Sequence, residues 1–190
     1  MLRIGLFGGT FNPPHLGHLL LAEGAREALG LDEVLWIPAH LPPHKPVEGN
    51  VSAEERCQLV ERAIEGHPHF KICRLELERP PPSYTIDTVL KLQAERPGNE
   101  WFFLLGAEAA EQLPTWRQAD RLLSLVRFAA VPRPGHPPGK LPPGVETIAV
   151  KTLDLSASEI RRRIREGRDI RDLVPDPVRR MIEEKGLYRS

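Results

Sequence analysis

The chain has 190 residues, near the upper end of single-domain size and long enough to bury a substantial core. Lys plus Arg total 26 and Asp plus Glu total 26, so the net charge is zero. That excludes a general nucleic-acid binder, which needs excess cation to neutralise phosphates, but leaves room for a small anionic ligand. Cys57 and Cys73 form no CxxC pair, no secretory leader opens the sequence, and no apolar run is long enough for a bilayer. These features predict a cytoplasmic protein with no membrane partner.

Leu2–Phe7 is a short apolar run ending in Gly8-Gly9 and predicts a buried strand feeding a tight turn. Leu16–Leu29 carries good helix formers without proline and stops at Gly30. Val34–Ile37 predicts a second strand, and Ala39–Val51 a polar, proline-rich loop. Ser52 with Glu55 forms a capping box that starts a helix running to about Glu65. Phe70–Leu77 predicts a third strand, Ser83–Glu95 a third helix and Trp101–Leu105 a fourth strand. Further strands are expected at Arg127–Val131 and Thr147–Val150, separated by a Pro- and Gly-rich surface loop from Pro132 to Gly144. From Ser156 to Ser190 the pattern is helical, with a break at Val174-Pro175.

This alternation predicts an α/β fold, a parallel sheet covered by helices on both faces. The reading is one domain over 1–190, with a core of about 1–152 and a C-terminal helical module of about 153–190. Open sheets of this kind bind ligands beyond the carboxyl ends of strands where the winding direction reverses, so the residues after strands one and four should carry the chemistry.

Strand one is followed by Gly8-Gly9-Thr10-Phe11-Asn12-Pro13-Pro14-His15-Leu16-Gly17-His18. Two glycines allow close backbone approach to a ligand, and the helix start adds free N–H groups and a positive dipole end, which suits a phosphate. His15 and His18, three apart, are expected to share a face of the first turn and to donate to phosphate oxygens. As a metal pair they lack a third ligand nearby in sequence, and no metal site is expected. Ser156-x-x-Glu159 opens a late helix with an ordinary capping box, with Arg161 one turn in.

The string GTFNPPHLGH resembles the HxGH motif of the nucleotidyltransferase superfamily, whose cores are Rossmann-like. Further strings along the chain are similar to the bacterial nicotinate-nucleotide adenylyltransferase family. They are Pro42-Pro43-His44-Lys45, Ser83-Tyr84-Thr85-Ile86-Asp87-Thr88, Leu105-Gly106-Ala107-Glu108, Leu113 with Trp116, Val131-Pro132-Arg133-Pro134, Ser156–Arg161, and Val174-Pro175 with Leu187-Tyr188. The resemblance implies adenylyl transfer from ATP to nicotinate mononucleotide, giving deamido-NAD and pyrophosphate. His18 and His15 would be catalytic. Gly8, Gly9, Thr10, Phe11, Gly17, Gly106, Arg133, Ser156, Ser158 and Arg161 would join them at ATP, and Asn12, Lys45, Thr85 and Trp116 would hold the mononucleotide. Magnesium would arrive on ATP, held mainly by phosphate oxygens. The chain departs from the family pattern at Ala157, at Glu108 in place of Asp, and at Asn12 in place of Asp. A preference for nicotinamide mononucleotide, a nucleotide-sensing module without turnover, and a homo-oligomer all remain compatible with the residues.

Overall fold

A computed structural model describes residues 1–190. Six strands form one parallel sheet: β1 (Arg3–Gly9), β2 (Glu33–Pro38), β3 (Phe70–Ile72), β4 (Glu100–Gly106), β5 (Arg127–Val131) and β6 (Val145–Thr147), in the order β3-β2-β1-β4-β5-β6. The order reverses between β1 and β4, which pair in register from Arg3–Glu100 to Leu6–Phe103. This is the doubly wound Rossmann-like arrangement, and its crevice lies where the sequence analysis placed the chemistry.

Seven helices complete the fold: α1 (Leu16–Leu29), α2 (Ala53–Ile64), α3 (Thr85–Glu95), α4 (Ala107–Glu111), α5 (Ala119–Leu125), α6 (Ala157–Arg165) and α7 (Asp176–Lys185). Alternation along the strands divides the core between the two faces. Ile4, Leu6, Phe103 and Leu105 pack with Ile86, Val89 and Leu92 of α3 and Leu122 of α5. Trp36, Phe102 and Leu104 pack with Ala22 and Ala25 of α1 and Val60 and Ile64 of α2 on the other side. Burial on both faces explains why these strands are near-continuous apolar runs. The outer side of α2 buries Leu59 and Ala63 against Ile160, Val178, Met181 and Ile182, so the C-terminal module forms a further layer.

The structure corrects several boundaries. The third strand stops at Ile72 instead of Leu77, because the Arg74 carbonyl accepts the N–H groups of Leu77 and Glu78 and turns the chain. The sixth strand is Val145–Thr147, ahead of the expected Thr147–Val150. The C-terminal break is a ten-residue non-helical connection between α6 and α7, since Gly167 (φ 67°) ends the first helix. Helices α4 and α5 had no strong periodic signal, being five and seven residues long. No helix is long and apolar enough to cross a membrane.

Candidate active site

The loop after β1 turns its carbonyls backward. Gly9 C=O accepts the N–H of Ala39 at 2.9 Å, on the β2 side, and Thr10 C=O accepts the Arg56 guanidinium at 2.8 Å. In a trans peptide the following N–H points the opposite way, so Thr10 N–H and Phe11 N–H face away from β2 and α2. Neither donates to a protein atom. Phe11 adopts φ 49°, a left-handed conformation costly for a bulky residue. Its ring is anchored in the core against Phe7, Trp36 and His18, at 5.4, 5.3 and 5.2 Å between centroids. Only the backbone of Phe11 is therefore available to a ligand.

His15 caps α1 and does not stand on its first turn, which corrects the expected shared helical face. The rings nonetheless stack, with centroids 3.8 Å apart and planes at 26°. A Cβ on Gly17 would lie 2.9 Å from His15 Cε1, so glycine is what lets the ring cross the turn. The His15 N–H donates to His18 Nδ1 at 3.1 Å, leaving the proton of a neutral His18 ring on Nε2 as a donor. In the first turn, the Leu16 N–H is taken by the Leu173 carbonyl, whereas that of Gly17 donates to no protein atom.

Burial, and then the nearby Arg133 guanidinium, pull the His15 pKa from 6.5 down to about 4. Burial followed by His15 holds His18 well below the usual value as well. Both rings are neutral donors at physiological pH. Between pH 6.5 and 4 the unfolded chain binds a proton that folded His15 refuses. Stability should therefore fall as pH drops through that window, by about 3 kcal/mol from this residue. Denaturant midpoints measured from pH 7 to 4.5 should decline less in His15→Gln than in wild type, and an equally steep decline would refute the depressed pKa.

Beside the donor loop lies a cavity of about 640 Å³. It gathers Gly8, Gly9, Thr10, Lys45, Thr85, Gly106, Glu108 and Trp116, which are scattered over most of the sequence. Lys45 stands exposed at its mouth with no acid paired to it. Thr85 begins α3, where the N–H groups of Thr85 and Ile86 donate to no protein atom. Trp116 packs edge-on against Phe103 and Phe128 and borders the cavity.

A Cβ built on Gly106 meets nothing within 4 Å, and φ −68° suits any residue. Gly106→Ala should therefore leave thermal stability unchanged or slightly raised, while raising KM for a bound nucleotide about 10-fold by narrowing the cavity. Unchanged KM values would remove Gly106 from the binding surface.

Arg133, after β5, pairs with Glu108 at 2.7 Å and approaches Asp154 at 3.3 Å. Ser156 caps α6 by accepting the Glu159 N–H at 3.2 Å. The reciprocal half of that capping box is missing because Glu159 instead pairs with Arg162 and Arg163. Asn12, Ser158 and Arg161 likewise have protein partners. Asn12 is buried, with Oδ1 accepting the Tyr188 hydroxyl at 2.8 Å and Nδ2 donating to the Glu48 carbonyl at 2.7 Å. Arg161 donates to the Asn12 carbonyl and to Glu48, both at 2.8 Å, and to the Ser158 hydroxyl at 3.2 Å. Asn12 and Arg161 are buried behind the donor loop and Ser158 is exposed; like Phe11, His15, Gly17, His18, Arg133 and Ser156, they lie outside the cavity wall. No group of three or more His, Cys, Asp or Glu side chains is placed to hold a metal ion.

Residues 6–163 match the Cytidylyltransferase-like family. Over 188 residues the chain is 48% identical to a protein of Geobacillus kaustophilus named probable nicotinate-nucleotide adenylyltransferase, covering 99% of this chain and 87% of that one. The chain belongs to the nicotinate-nucleotide adenylyltransferase family. A Thermus thermophilus member is 47% identical over 189 residues, covering 99% of this chain and all of its own. A solved Plasmodium falciparum nicotinic acid mononucleotide adenylyltransferase, complexed with NaAD, shares the fold with a TM-score of 0.80. Its identity is 18%, covering 99% of this chain and 98% of its own.

Sequence reasoning missed several residues in this adenylyltransferase-family site. Tyr84 and Arg117 border the cavity, the guanidinium lying 4.7 Å above the Tyr84 ring centroid. Glu76 also lines it, where burial pushes its carboxyl pKa up. Its Oε1 accepts the Thr88 hydroxyl at 2.8 Å. Glu76 fell in a stretch expected to be strand, so nothing marked it. Arg56 did carry a signal: it occupies the stripe of α2 that continues as Leu59, Val60 and Ala63, where a charged residue is out of place.

Proposed function

We propose that the protein transfers the adenylyl group of ATP to nicotinate mononucleotide, producing deamido-NAD and pyrophosphate in NAD biosynthesis. The observation that carries this reading is one crevice with two parts at the β1/β4 reversal. Outward N–H donors and two neutral imidazoles lie on one side, and the Lys45–Thr85–Trp116 cavity on the other.

The acceptor phosphate is already an anion, so the reaction requires no general base. The protein must hold two mutually repelling anions in line and stabilise charge developing at the α-phosphoryl group. His18 Nε2–H, supported by His15, is the donor assigned to that charge, and the N–H groups of Thr10, Phe11 and Gly17 cradle the triphosphate. Gly106, Arg133 and Ser156 are assigned to ATP, and Lys45 to the mononucleotide phosphate. The pyridine ring stacks on Trp116 while its carboxylate takes the Thr85 hydroxyl and the free N–H groups of α3, an arrangement favoured at a helix N-terminus. The preference for the acid over the amide rests on these free donors, which can pair with both oxygens of a carboxylate but only with the carbonyl of an amide.

The side chains present do not form a magnesium cage, since Glu108 pairs with Arg133 and no metal-binding cluster exists. Magnesium fits this site as a companion of ATP, held by phosphate oxygens and neutralising part of their charge. A reducing cytoplasm suits the two free, buried cysteines.

The test supplies ATP and magnesium with either mononucleotide and measures pyrophosphate and dinucleotide. Turnover with a kcat/KM at least about 100-fold higher for the acid supports the proposal, since a site built to pair a polar group can discriminate by about 10⁴-fold. Equal or greater activity with the amide would reassign the substrate, and no turnover with either would remove the enzymatic reading.

A further inference from the structure

Arg56 is 1% exposed and pairs with no carboxylate. A buried charge without a counter-ion is costly and persists only where other interactions offset it. Two backbone carbonyls face this one. One terminal nitrogen donates to Thr10 C=O and the other to His40 C=O, each at 2.8 Å, and Nε has no partner. The two carbonyls belong to different parts of the crevice. Thr10 lies on the donor loop, and fixing its carbonyl aims the Phe11 N–H away from α2. His40 opens the loop that carries Lys45, and its own N–H donates to Ser83 Oγ at 3.1 Å, immediately before Tyr84 and Thr85. A continuous path therefore runs from the ATP donors through one rigid, planar fork to the start of α3. Tyr188 and Cys57 are the titratable groups that face Arg56, and neither supplies a formal negative charge at neutral pH, since burial raises both pKa values.

We propose that Arg56 is a positioning residue shared by both nucleotides. By holding the Thr10 and His40 carbonyls at a set separation, it keeps the phosphate donors and the acid-binding turn in register for in-line transfer. The inference rests on the adenylyl-transfer reading and adds a residue that touches neither substrate. A lysine preserves the charge but presents one point where the fork presents two, so charge alone should not restore the geometry.

The test compares wild type, Arg56→Lys and Arg56→Met in steady-state kinetics with ATP and nicotinate mononucleotide, alongside thermal unfolding. Arg56→Met should lower kcat about 100-fold, the scale of an ångström-sized misplacement, with both KM values within about 5-fold. Arg56→Lys should still lose about 10-fold or more. Either of three results overturns the proposal: kcat in Arg56→Met within about 3-fold of wild type, full recovery in Arg56→Lys, or a defect confined to the KM of one substrate. If Arg56→Met does not fold, the lysine variant decides, and failure of both to fold makes the residue structural and also overturns it. Wild-type protein inactive with both mononucleotides would instead sink the functional reading, which separates the two failures.

Discussion

His18→Ala should lower kcat by about 100- to 1,000-fold, the effect of deleting one preorganised donor to a developing oxyanion, while KM for ATP stays within about 3-fold. His18 is held by the His15 N–H at Nδ1, by the His15 ring at 3.8 Å and by Phe11 at 5.2 Å, so Nε2–H needs no reorganisation when charge appears. Losses of equal size in kcat and in ATP affinity would mean that the ring binds ground state and transition state alike. The pH profile gives an independent check. Because kcat/KM reports the free enzyme, and both histidines are neutral above about pH 6, it should show no histidine inflection between pH 6 and 8. A decline as pH rises through 6.5 would show that a cationic imidazole is the working form.

Arg161→Met should reduce kcat/KM about 100-fold without removing any group from the cavity wall. Arg161 holds the Asn12 carbonyl from 149 positions away in the chain, and Tyr188 holds the Asn12 side chain from 176 away. The variant leaves that buried carbonyl unpaired, at a stability cost of about 2 kcal/mol. The accompanying bond to Glu48 should contribute little, since that carboxylate is largely exposed. Chemical denaturation and steady-state kinetics measure the two effects separately. Normal activity in a destabilised variant would show that the C-terminal layer supports folding alone and does not set the donor loop.

The site was legible where function demands residue types that folding does not. Gly17 between two histidines stood out because it breaks a simple helix pattern, whereas Thr85 and Trp116, which also fit a plain cap and a plain core aromatic, were marked only by the family resemblance. Asn12 and Arg161 were visible too, but polarity in sequence does not distinguish a ligand contact from a buried hydrogen bond. Both were expected at a nucleotide, and both have protein partners. Glu76 left no trace, since its burial depends on the turn at Arg74 and on Thr88, a neighbour contributed by another element.

The sequence by itself determined the layered architecture. Strands buried on both faces must be continuous apolar runs, and glycine and proline must punctuate them, so the period and its breaks are local properties. It also gave the expectation that the chemistry lies after β1, because the glycine turn and paired imidazoles fall within one short segment. Only the tertiary structure decided that Lys45 and Arg117 line the cavity while other cations stand outside its wall. Arg56, Arg133 and Arg161 are alike as residues, and their partners at Thr10, Glu108 and Asn12 are brought near only when the sheet and its outer layers close. Hydrogen bonding over such separations depends on packing, and packing is not a local property of the chain.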